Sequence, residues 1–91
     1  MGIIDLKIYT YEKFCKRLDY YAVQEFVDRC GKLSFKPKFI ITWEVSEKET
    51  SKKINEWCNE EQFIGNINKY WLCQIEFERE EDVVAFKLRW M

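Results

Sequence analysis

Phe39-Ile40-Ile41-Thr42-Trp43-Glu44-Val45-Ser46 is the stretch on which the fold turns. In an extended chain Phe39, Ile41, Trp43 and Val45 fall on one side and Ile40, Thr42, Glu44 and Ser46 on the other, so the segment reads as a strand with one heavily apolar side. Two further stretches share this two-residue period. Near the start, Ile4, Leu6 and Ile8 alternate with Asp5, Lys7 and Tyr9. Tyr70 to Glu78 sets Trp71, Cys73, Ile75 and Phe77 inward and Leu72, Gln74, Glu76 and Glu78 outward. Strands that each carry a polar side favour a sheet partly open to solvent over one wound with helices on both faces.

Between the strands the period changes. Thr10 is suited to cap a helix, and Tyr11, Phe14, Cys15, Leu18, Ala22 and Phe26 recur at three- and four-residue spacing until Gly31, which predicts a helix over 11–30. Lys32 to Lys38 reads as a connection, since Gly31 and Pro37 bracket it. Ser46 with Glu49 forms a capping-box pattern ahead of a charged segment whose apolar members are Ile54, Trp57 and Cys58, a short and shallowly buried second helix. Residues 59–69 contain Gly65-Asn66 and read either as a loop or as a turn in a hairpin around Phe63, Ile64 and Ile67. In the last segment Glu80, Glu81 and Asp82 precede Val83, Phe86 and Trp90, the spacing of a closing helix with acids in its first turn. Phe86, Leu88 and Trp90 equally permit a strand.

The expected architecture is one α+β domain over residues 1–91. It has a small mostly antiparallel or mixed sheet of three to four strands, with two to three helices packed on one face. At 91 residues a second domain does not fit, and a composition 47% hydrophobic and 18% aromatic supplies large side chains for a thin core.

Charge and residue inventory exclude more functions than they suggest. Net charge is −1, so no strong field draws the chain to nucleic acid or anionic membrane. The halves differ mildly: residues 1–45 hold eight basic and six acidic side chains, residues 46–91 seven and ten. Histidine is absent, which removes the commonest general base and metal ligand. Cys15, Cys30, Cys58 and Cys73 form no short-spaced pair, so neither a zinc site nor a disulfide framework is expected, and free thiols fit a reducing cytoplasm. Gly2, Gly31 and Gly65 are too scattered for a phosphate-binding loop. The start of the chain lacks a signal-peptide pattern, and no apolar run approaches a membrane span. The acidic run Glu76, Glu78, Glu80, Glu81, Asp82 is the best remaining place for a metal or an acid–base pair. Helix-dipole and solvent roles account for it more simply. The expectation is therefore no enzyme, no cofactor and no metal.

What remains is binding. Lys13, Arg17, Tyr20, Gln24 and Val27 form one outward row of the first helix, and Arg17, Tyr20 and Val27 there, with Tyr70 and Leu72 on the third predicted strand, are the candidate contacts for another protein or a second copy. The alternative is a nucleic-acid surface made by the basic patch Lys13, Lys16, Arg17, Lys32, Lys36 and Lys38.

The segment from Phe77 to Trp90, through Glu81, Asp82, Phe86, Lys87 and Leu88, resembles the ends of small uncharacterised proteins of large contractile-tailed bacteriophages. The likeness covers about 14 of the 91 residues, with Val83 and Val84 departing from the pattern. It implies a phage origin, action in the host cytoplasm and a role in binding or modulating a host protein. It carries over no functional residue.

Overall fold

The computed structural model describes residues 5–44, 48–70 and 73–91. In chain order the elements are β1 (Lys7–Thr10), α1 (Tyr11–Lys16), α2 (Tyr20–Cys30), β2 (Phe39–Thr42), α3 (Lys48–Glu60), β3 (Ile67–Tyr70), β4 (Gln74–Phe77) and α4 (Glu80–Trp90). The four strands form one sheet in the order β1-β2-β4-β3, with every neighbouring pair antiparallel. The α+β class and the antiparallel sheet follow the sequence reading, with four helices where two or three were expected.

Register explains how the sheet is used. Ile8, Ile41, Ile75 and Lys69 lie in one row across it, and Thr10, Phe39, Phe77 and Ile67 in the row two residues on, both projecting to the same side. There Leu6, Ile41, Ile75 and Phe77 join Ile54 and Cys58 of α3 and Val83, Phe86 and Trp90 of α4 in the main core. Phe86 is its hub, 5.8 Å from Phe77, 5.9 Å from Trp57 and 6.0 Å from Trp43, ring centre to ring centre. A buried hydrogen bond from Trp43 Nε1 to Ser51 Oγ, at 2.8 Å, ties the start of α3 to the end of β2.

The opposite side is covered as well, which corrects the expectation of helices on one face. Tyr9, Ile40, Glu76 and Asn68 form its central row. Ile40 packs with Phe14 of α1 and with Phe26 and Cys30 of α2 in a second core. Both Ile40 and Glu76, assigned to solvent by alternation, are fully buried. The pattern misled because an aliphatic and a carboxylate at those two positions look like a solvated face until a guanidinium supplies the carboxylate's partner.

Three local readings change too. The helix expected over 11–30 is two helices, because Asp19 takes the Ala22 N–H at 2.8 Å and opens a new helix there. The break lets the Phe14 and Phe26 rings meet edge to face at 4.9 Å. Tyr70 to Glu78 is not one strand: Tyr70 ends β3 and Gln74 starts β4, so the hairpin turns near Cys73 and not at Gly65-Asn66. Finally, α3 is 13 residues long and buries Ser51, Ile54 and Cys58, so it is neither short nor shallow. At the end of the chain the choice falls to helix, with Val83, Phe86 and Trp90 buried on one side. The proposed cap Ser46, like Ile4, Val45, Trp71 and Leu72, lies outside the described residues.

Candidate functional site

Helix spacing sets up the most developed surface feature. Phe26, Arg29 and Cys30 stand three and four residues apart, so all three turn towards the sheet, and Arg29 arrives over the β4 position occupied by Glu76. Its two terminal nitrogens donate to the two Glu76 oxygens, with Nη1 to Oε1 at 3.1 Å. The same carboxylate accepts from Asn68 Nδ2 and from Gln74 Nε2, each at 3.0 Å. The Arg29 guanidinium also lies over the Tyr70 ring, 3.7 Å from its centre, and within 5.5 Å of the Phe26 ring. Burial works against the guanidinium charge, but the Glu76 carboxylate more than offsets it and holds Arg29 above its ordinary value.

A paired charge of this kind anchors α2 to the sheet by geometry more than by net energy, since desolvation consumes much of the Coulombic gain. Above it opens a groove of about 190 Å³, walled by Phe14, Leu18, Ala22 and Phe26, with Arg29, Tyr70 and Gln74 at its polar side. Every Glu76 oxygen is engaged, so the groove offers apolar walls, the guanidinium's remaining edge and the exposed Glu25 side chain. That chemistry suits contact with a side chain. Among the described residues that line the groove there is no serine, threonine or cysteine.

Tyr20 and Tyr21 begin α2 and stand in sequence between the groove residues Leu18 and Ala22. They are 70% and 82% exposed and pack edge to face on each other at 5.4 Å. Arg17 caps the end of α1, its guanidinium 4.9 Å from the centre of the Tyr9 ring. Val27 is exposed further along α2 and borders a separate hollow with Tyr11, Phe35 and Pro37. The expected contact residues therefore divide. Arg17 and Tyr20 flank the break between the helices, Tyr70 sits beneath Arg29, and Leu72 is outside the described residues.

The basic residues divide as well. Lys13 and Lys16 are exposed on α1, and Lys32 follows the end of α2. Lys36 Nζ lies 6.0 Å from the Tyr11 ring centre, and the Lys38 carbonyl accepts the Tyr11 N–H at 2.9 Å, so the connection before β2 returns to the start of α1. Lys38, however, borders a hollow with Glu78, Glu80 and Glu81.

Each acid of the former cluster except Glu80 accepts a hydrogen bond from the protein. Besides Glu76, Glu78 takes the Asn66 backbone and side-chain N–H groups, Glu81 meets Arg79 at 3.4 Å, and Asp82 accepts the Ile64 and Gly65 N–H groups at 2.8 Å each. Among the described residues no group of three acids or cysteines could hold a metal ion. The four thiols are free, and burial pushes Cys30 and Cys58 up to about 11, which leaves them protonated and poorly nucleophilic. No described helix is long and apolar enough to cross a membrane.

Arg29, Asn68, Gln74 and Glu76 were not among the sequence candidates. One signal existed: Arg29 falls on the Phe26–Cys30 side of its helix, where a cation needs a buried partner, and Glu76 stands between Ile75 and Phe77. Comparison with family models, curated proteins and solved structures found no match.

Proposed function

We propose that this chain is a non-enzymatic module that binds another protein through the surface where α1 meets α2. The observation that carries the reading is the pair of exposed tyrosines, Tyr20 and Tyr21, which stand in sequence between Leu18 and Ala22 of the apolar groove above Arg29. Tyrosine and arginine beside an apolar recess are the residue types that anchor protein interfaces, because they bury large area with little entropy to lose. The likeness of residues 77–90 to phage proteins makes a host bacterial protein the partner class, with modulation of that protein in the host cytoplasm as the consequence.

A nucleic-acid reading is favoured by one feature, the return of Lys36 and Lys38 to the start of α1 beside Lys13. The acids sharing the Lys38 hollow weigh against it, since they repel phosphate.

Affinity capture of the tagged protein from bacterial lysate, with and without nuclease and at low and high salt, separates the two. The expected result is a stoichiometric protein retained under all conditions and lost by at least about tenfold in the Tyr20→Ala/Tyr21→Ala variant, two anchors of this kind each contributing roughly 1 kcal/mol or more. Retention unaffected by that double variant would overturn the assigned surface. Capture that vanishes with nuclease or salt would transfer the reading to nucleic acid.

A further inference from the structure

Helix α4 is apolar on two sides, and its own chain covers one of them. Val83, Phe86 and Trp90 face the core. Val84, Leu88 and Met91, at i, i+4 and i+7, are 47%, 83% and 57% exposed on the other. A globular helix exposing such a stripe leaves a contact surface unfilled.

The charges around the stripe say what fills it. Exposed Glu80 and Glu81 stand at its start, exposed Lys87 and Arg89 at its end. A twofold axis through the middle of the stripe reverses the helix, so the acids of one copy meet the bases of the other while Val84 and Leu88 meet Leu88 and Val84. Isologous pairing demands this self-complementarity. A parallel arrangement would oppose like charges. We propose that two copies of this chain associate through antiparallel α4 helices, with Val84 and Leu88 meeting Leu88 and Val84 across the axis and Glu80 paired across it with Lys87, which lies on the same flank of the stripe.

One helix about 16 Å long makes an interface well below the ~800 Å² per partner of a standard complex, so the dimer is weak. The surface is separate from the α1–α2 groove, and the Tyr20→Ala/Tyr21→Ala variant leaves self-association unchanged. Sedimentation equilibrium on the purified chain, from roughly 10 µM to 1 mM, should show the mass climbing from 11.2 kDa towards twice that value. Leu88→Asp, at an exposed position that spares the core, should hold the protein at the monomer mass with an unchanged circular dichroism spectrum. Glu80→Lys should weaken association at least about tenfold. Adding Lys87→Glu should restore it, and that double variant should not mix with the parent chain. A monomer mass throughout, unaltered dimerisation of Leu88→Asp, or no rescue by the second charge reversal would each overturn the proposal.

Discussion

The two faces of the sheet hold their helices by different means. Towards α3 and α4 the attachment is chiefly apolar, with Phe77, Phe86, Val83 and Trp90 buried together, a buried polar link from Trp43 to Ser51 and an exposed one from Lys69 to Asn59. Towards α1 and α2 the apolar part is smaller, four buried residues including Ile40, and a charged pair with two amide supporters completes it. Adjacent residues of one strand serve both: Ile40 and Ile41 are each fully buried, on opposite sides. The first face resists by the area it removes from water, the second by the cost of parting groups that have nowhere else to go.

This contrast can be broken in order of effect. Phe86→Ala, at the meeting point of three aromatic contacts on the apolar face, should lower unfolding free energy by about 3–5 kcal/mol in urea titration. A loss under about 1 kcal/mol would mean that α4 is not held by this packing. On the other face Glu76→Leu strands the Arg29 charge and should cost about 2–4 kcal/mol. Its signature is reversibility: Arg29→Met in the same chain should return stability to within about 1 kcal/mol of the parent, an outcome no second substitution offers for Phe86→Ala. If the double variant is as unstable as the single, the ion pair is not what binds α2.

The smallest effect sharpens the comparison with pH. Burial pushes Cys30, at the end of α2, and Cys58, in α3, from 9.0 up to about 11. A thiol whose folded value is raised contributes stability that is whole below its unfolded value and is lost as pH rises through the folded one. Stability should therefore decline between pH 9 and 11. Tyr11, also raised chiefly by burial, adds to the decline on the α1–α2 side. Cys30→Ala and Cys58→Ala should each flatten part of the slope relative to the parent. A stability that stays level from pH 8 to 11 would contradict both burials.

How legible this was depended on which interaction did the work. The apolar face was readable because Ile41, Ile75 and Phe77 alternate with other residues and Val83, Phe86 and Trp90 keep helical spacing, so each element declares its buried side unaided. Glu76 declares nothing alone, since its partner is 47 residues away on another element. Asp19 hid the helix break in the same manner, because one side chain overrode a continuous apolar period. Of the proposed contacts, Arg17 and Tyr20 were placed on exposed surface by periodicity, whereas the groove arises from the angle between α1 and α2, which no period encodes.

Asp82 has a further consequence for how the chain becomes ordered. Its carboxylate reaches back 18 and 17 residues to the Ile64 and Gly65 N–H groups, fixing the approach to β3 against the first turn of α4. At Gly65 an added Cβ would run into the Arg79 side chain, which would have to move to admit a larger residue. With β3 and β4 paired as neighbours in sequence, this clamp lets the last third of the chain gather through short closures. The sheet's other pairings, β1 with β2 and β2 with β4, join more distant segments. Closure entropy rises with loop length, by roughly 0.6 kcal/mol per doubling, so the hairpin and α4 are the part of the molecule that organises at least expense and onto which the two remaining strands are laid.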